Sequence, residues 1–196
     1  MNKIDVCPQQ ILSFDAPNDL TEEALNCVIN EEWQDNNNRY NYYTCDTFLH
    51  KRDEYKYLVK WFAECLHKCK REKQYNFHGR FNITQCWANK TTTGGSHHVH
   101  NHPNSLLSGI FYLTDSTSTV FSGPLMWNLP LVRANNESTM SKVTPVKGRL
   151  LIFPSGLLHG TDRSNTNEPR YSMSFNTFIH GELGDVSSLD YVSINQ

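Results

Sequence analysis

The chain has no apolar run long enough to cross a bilayer, since nothing in it approaches the roughly 18 consecutive apolar residues that a spanning helix needs. Its opening, "MNKIDVCPQQ", lacks the apolar stretch of a secretory leader. We therefore expect a soluble, cytoplasmic protein with no membrane partner. An excess of one charge is missing as well: 18 basic against 20 acidic residues give a net charge of −2. That balance supplies no electrostatic footprint for a phosphate backbone, so no nucleic-acid partner is expected. There is no internal repeat and no low-complexity tract, which excludes a solenoid or a disordered linker protein.

The six cysteines are read by compartment, with free thiols favoured over a zinc or disulfide role. Cys7, Cys27, Cys45, Cys65, Cys69 and Cys86 read as free thiols of a reducing compartment, with Cys65 and Cys69 four residues apart on the apolar face of a helix. The triplets beginning at Asn82, Asn89 and Asn136 resemble glycosylation acceptors, and without secretion they carry no meaning. At 196 residues the chain suffices for one domain with a buried core.

Within that domain, residues 1–79 read as a helical support region. "PNDLTEEALNCVINEEWQ" opens on the capping candidates Asn18, Asp19 and Thr21 and places Leu25, Val28, Ile29 and Trp33 on one helical face. "DEYKYLVKWFAECLHKCK" does the same with Tyr55, Leu58, Val59, Phe62, Cys65, Leu66 and Cys69. The intervening "DNNNRYNYY" reads as a loop. From residue 80 the pattern changes to short β-rich runs: "RFNITQCWAN", "LLSGIFYL", "STVFSGPLMWN", "KVTPV", "GRLLIFP" and "YSMSFNTFIH". Residues 80–180 thus predict an antiparallel sandwich or jelly roll with the helices packed on one outer face, and 181–196 a polar tail.

Histidine is crowded in "SHHVHNHPNS", where four of the chain's nine occupy positions 97, 98, 100 and 102. Crowded imidazoles repel one another when protonated and need partners on both ring nitrogens when buried, so a metal ion is the natural consumer of this density. In an extended segment, spacing i, i+2 puts His100 and His102 on one face, and His98 with His100 forms the competing pair. Pro103, stiffening the segment, favours the first. A third ligand is available in "GRLLIFPSGLLHG", where His159 follows a strand and a turn. Arg170 begins "RYSMSFN", in which Arg170, Ser172 and Ser174 share a strand face, an arrangement suited to gripping a carboxylate. Taken singly, His97 and His98 read as surface or hydrogen-bonded residues, and Trp87 and Trp127 as core.

The segments "HNHPNSLLSGIFYL", "GRLLIFPSGLLHG" and "PRYSMSFN" resemble the motifs of the iron(II)- and 2-oxoglutarate-dependent oxygenases. The nearest resemblance is to a prolyl-hydroxylase-like group widespread in marine bacteria and their phages; a phage-encoded chain would work in the host cytoplasm. The resemblance spans about residues 80–180 and implies a double-stranded β-helix with iron at one end. It implies metal ligation by His100, His102 and His159, and 2-oxoglutarate binding by Arg170, Ser172 and Tyr112, with Asn89 on the preceding strand a further contact. The implied cofactors are iron(II), 2-oxoglutarate and O2, with ascorbate as an accessory reductant. The implied reaction is hydroxylation of an amino-acid or protein side chain, proline included, with release of succinate and CO2, on a small-molecule or peptide substrate. One position departs from the superfamily: His102 stands where an Asp or Glu is usual, giving three neutral imidazoles in place of two and a carboxylate. The rival readings are a cupin-like three-histidine metalloprotein that does not use 2-oxoglutarate and a histidine-rich zinc-binding β-domain. The first leaves Arg170 and Tyr112 without a task. The loops "NKTTTGGSHH" and "RANNESTMSK" are expected to frame the pocket entrance.

Overall fold

A computed structural model describes residues 9–36, 40–73, 75, 77–115, 117–122 and 140–195, with the backbone alone at 122 and 140. Two 14-residue antiparallel strands, β4 (His78–Thr91) and β10 (Arg170–Leu183), form its spine. Both segments are rich in β-branched and aromatic residues, and their pairing shifts register once, between Asn176 and Thr177. Around them lie β1 (Leu12–Asp15), β2 (Trp33–Asp35), β3 (Asn41–Thr44), β5 (Leu107–Tyr112) and β8 (Arg149–Pro154). The strand order is β1-β8-β5-β10-β4-β3-β2, and β11 (Val192–Ile194) pairs with the far end of β10. A second sheet holds β6 (Thr119–Ser122) between β7 (Met140–Val143) and β9 (Leu158–Thr161). The two antiparallel sheets make a jelly roll.

Side-chain period decides which layer each residue joins, because successive residues of a strand face opposite sides. All six residues of β5 are buried. Leu107 and Phe111 enter the core under the helices, whereas Ile110 and Tyr112 face the small sheet and meet Phe121. β8 splits likewise, with Leu150 and Ile152 on one side and Leu151 and Phe153 on the other. The helical side is covered by α1 (Asn18–Val28) and α2 (Lys56–Glu72). Phe62 of α2 packs its ring 5.6 Å from Phe111 and 4.8 Å from Phe175. Each such buried ring contributes on the order of 1.5–3 kcal/mol. Gly109 is required here: a Cβ would stand 2.2 Å from the Phe175 ring, which fills its place.

The first third differs from a purely helical support. β1 extends one edge of the large sheet, and β2 and β3 pair as a hairpin that extends the other, so part of the expected loop "DNNNRYNYY" is strand, residues 37–39 lying outside the described residues. Such short, polar edge strands carry little hydrophobic alternation, and their pairing is tertiary. On α1 the buried positions are Thr21, Ala24 and Val28; Ile29 is exposed, and Trp33 has left the helix for β2. Pro17 is the N-cap and makes no side-chain cap, so none of Asn18, Asp19 and Thr21 caps the helix. On α2 the expected face is found at Leu58, Phe62, Cys65, Leu66 and Cys69, with Tyr55 in a preceding 3-10 turn. The tail expected from 181 contains the end of β10 and β11. Cys7, Trp127, the Asn136 triplet and most of the loop "RANNESTMSK" lie outside the described residues. No described helix is long and apolar enough to cross a membrane.

Candidate metal and co-substrate site

The histidine segment becomes a site because it is zipped onto β9. The His100 and His159 backbones exchange hydrogen bonds, N–H to O, at 2.9 Å in each direction. The His102 N–H donates to the Ser155 carbonyl at 3.0 Å. The antiparallel pairing places His100 and His102 on the same side as His159, although 57 residues separate the last two. One ring nitrogen from each of His100, His102 and His159 lies within 4.8 Å of the others.

Hydrogen bonds fix which nitrogens are free. His100 Nδ1 lies 2.8 Å from the His98 carbonyl, and His159 Nδ1 lies 3.0 Å from the Leu157 carbonyl. A carbonyl only accepts, so Nδ1 carries the proton in both rings and Nε2 keeps its lone pair. Burial is the main cause holding all three pKa values below the ordinary imidazole range, with neighbouring imidazoles adding to it. His102 is pushed down to about 3 and His159 to about 4. All three rings are thus neutral at pH 7, the state that coordinates metal.

Behind the histidines, the cavity floor is the inward face of three paired strands. Ser172 has Asn89 of β4 on one side and Tyr112 of β5 on the other; Ser174 has Trp87 and Ile110. Arg170 begins the same face, and with Trp87, Asn89, Ile110, Ser172 and Ser174 it lines one pocket together with His100, His102 and His159. Asn89 donates to the Ser174 hydroxyl at 3.0 Å and accepts from the Trp87 indole at 3.2 Å. Arg170 is 4% exposed, Nε has no hydrogen-bond partner, and none of the ion pairs among the described residues includes it. Its guanidinium sits 5.6 Å from the centroid of the Tyr112 ring. Burial lowers its pKa, with Tyr112 working in the opposite direction. A guanidinium stays charged in a protein, so this is a buried cation without a counter-ion among the described residues, costing several kcal/mol unless an anion completes it.

Of the residues read from the sequence, Asn89, His100, His102, His159, Arg170 and Ser172 line one pocket. Tyr112 is fully buried with its hydroxyl 2.6 Å from Thr119 Oγ1, and Thr119 lines the pocket where Tyr112 does not. Trp87, read as core, forms part of the wall, with its ring 5.7 Å from that of His102. Sequence reasoning missed Thr119, which no motif marks, and missed that His97 lines the same pocket.

Residues 85–176 match the family model described as "Putative 2OG-Fe(II) oxygenase". The fold is similar to HygX of Streptomyces hygroscopicus solved with nickel, 2-oxoglutarate and hygromycin B bound, at 16% identity over 95% of this chain and 91% of that chain (TM-score 0.66). It is also similar to a Pseudomonas putida prolyl-4-hydroxylase, at 14% identity over 88% of this chain and 94% of that chain (TM-score 0.62). A prolyl hydroxylase of Trichoplax adhaerens, in complex with a hypoxia-inducible-factor peptide fragment, matches at 16% identity over 86% of this chain and 83% of that chain (TM-score 0.61). No curated protein matches the sequence. The matched residues, 85–176, run from β4 through β10 and carry the candidate site, so this part of the chain is similar to the 2OG-Fe(II) oxygenase family.

Proposed function

We propose that this chain is an iron(II)- and 2-oxoglutarate-dependent oxygenase that holds its metal with His100, His102 and His159 and hydroxylates an amino-acid or peptide side chain. The donor set fits the group: three neutral imidazoles with convergent nitrogens suit a borderline divalent ion. The observation that carries the reading is Arg170, a buried guanidinium that lines the same pocket and lacks an anion. Its role is to take the distal carboxylate of 2-oxoglutarate, with the Ser172 hydroxyl beside it and Asn89 and Thr119 available along the wall. The Tyr112 ring holds the guanidinium in place.

When bound, iron(II) and 2-oxoglutarate supply O2 activation coupled to loss of CO2 and formation of succinate, with the second oxygen atom delivered to a C–H bond. This chain's residues do the rest. The Leu157 and His98 carbonyls orient the His159 and His100 rings, Arg170 and Ser172 set the keto acid's reach to the metal, and the apolar layer around Phe121 and Phe153 keeps water from the rear of His159. With His102 in place of a carboxylate, the metal carries one more unit of positive charge before the co-substrate binds, which favours a dianionic chelator. Prolyl hydroxylases among the similar folds support an amino-acid or peptide substrate, and HygX keeps a small molecule in view.

The test is anaerobic titration of the metal-free protein with iron(II) and then 2-oxoglutarate. A visible absorption band that requires both supports the reading, and metal binding indifferent to the keto acid would return the protein to the cupin-like alternative. Succinate release, screened over peptides and free amino acids, then identifies the substrate.

A further inference from the structure

His100 belongs to two groups of three imidazoles. Its ligand nitrogen lies within 4.8 Å of those of His102 and His159, and a ligand nitrogen of His100 lies equally within 4.8 Å of those of His97 and His98. The ring centroids of His97 and His98 are 4.4 and 5.1 Å from that of His100. The second group lies toward solvent, since His98 is exposed and His97 half-buried.

Nor is this group a chance meeting of loose side chains. The His97 N–H donates to Thr161 Oγ1 at 2.8 Å, and the Thr161 N–H donates to the His97 carbonyl at 3.1 Å, which clamps the segment to β9. Gly160 permits the approach: a Cβ there would stand 2.9 Å from the His97 carbonyl oxygen. The Asn36 amide nitrogen lies 3.2 Å from His97 Nε2 and fixes the ring; a half-turn of that amide would let its oxygen accept from Nε2–H and free the Nδ1 lone pair for a ligand. His100, with Nδ1 committed to the His98 carbonyl, has a single free nitrogen. One lone pair binds one ion, so the two groups cannot both be complete at once.

We propose that His97, His98 and His100 form an outer position for a borderline divalent cation such as zinc(II), mutually exclusive with the inner position at His100, His102 and His159. Three neutral imidazoles and a water are a complete tetrahedral set for zinc, and the exposure of His98 leaves room for that water. An ion held outside removes His100 from the inner set, so zinc there competes with iron even while His102 and His159 stand empty. The inference rests on the reading of the inner triad as the iron site.

Calorimetric titration of the metal-free full chain with zinc(II) tests it, using variants that break one group at a time. Wild type binds one zinc tightly. His159→Ala retains one zinc with a dissociation constant within about tenfold of wild type, through the outer group, whereas His98→Ala/His159→Ala binds on the order of 100-fold more weakly, the effect of losing a ligand from each group. His102→Ala serves as a second background should His159→Ala melt early by circular dichroism. Loss of tight zinc from both His159→Ala and His102→Ala, with His98→Ala unaffected, overturns the outer position and leaves the inner one standing. Loss of zinc from His98→Ala alone overturns the outer position as an alternative and removes the inner triad with it. Retention of tight zinc by the double variant overturns the assignment of these residues.

Discussion

The Nε2 atoms of His102 and His159 lie 3.2 Å apart. Two nitrogens each about 2.1 Å from one metal, at angles between octahedral and tetrahedral, stand about 3.0–3.4 Å apart. The spacing fits two ligands of one ion, and on the proposed reading replacing either ring by alanine should abolish the 2-oxoglutarate-dependent visible band of the anaerobic iron(II) protein. His102→Asp, which restores the carboxylate usual in the superfamily, should keep that band where His102→Ala loses it. A band that survives in His159→Ala would remove His159 from the metal site.

Arg170→Ala should weaken 2-oxoglutarate binding by about 10- to 100-fold, the value of a buried charge-assisted contact, while leaving metal affinity within a few fold. Arg170→Lys should recover only part of the loss, because an ammonium cannot present the two-pronged face. Calorimetry of 2-oxoglutarate against the manganese-loaded protein reads the effect directly. Equal loss of metal and keto-acid binding would give Arg170 a structural task instead.

The metal-free protein should lose stability on mild acidification. Unfolded histidines titrate near 6.5, whereas burial pushes His159 down to about 4 and His102 to about 3 in the folded chain. Below about pH 6.5 the unfolded state binds more protons, so this stability is fully present above that value and drains away as the pH falls toward 4 and 3. For His159, 4% exposed, one pH unit below 6.5 corresponds to about 1 kcal/mol. Thermal melts at pH 7.5 and 5.5 should differ by several degrees, and by less in His159→Ala; identical shifts in the two proteins would show that His159 does not carry the effect.

The thiols should divide by burial. Cys65, Cys69 and Cys86 are buried, and burial pushes each thiol up to about 12, so at pH 8 their thiolate fraction is negligible. Cys45 is exposed. Mass spectrometry after brief alkylation of the native protein should find Cys45 modified and those three untouched until denaturant is added. Prompt labelling of Cys69 would mean that α2 separates from the sheet.

Gly109→Ala should destabilise by about 1–3 kcal/mol, because its methyl would enter the Phe175 ring. Gly109→Ala/Phe175→Leu should recover part of the loss. A melt of Gly109→Ala at the wild-type temperature would mean that the ring moves aside freely.

Much of the site was legible in the chain itself. The density of imidazoles at 97–102, the lone His159 after a strand and turn, and the Arg170-Ser172-Ser174 face are chemical facts of side-chain type and spacing, and the β-strand period of two makes them readable. The long strands β4, β5, β8 and β10 and the buried face of α2 were equally visible, because a strongly patterned segment has one good way to bury its apolar atoms. Tertiary structure decided the remainder. No local signal says that 97–102 will pair with β9, which alone makes His100, His102 and His159 neighbours and also gives His100 a second set of partners. Nor does any local signal place Tyr112 beneath Arg170 and Thr119 on the wall, or turn the polar edges β1, β2 and β3 into strands. Period and residue type fix what a segment can bury, while the choice of partner comes from hydrogen bonds across the sheet, which the one-dimensional pattern does not encode.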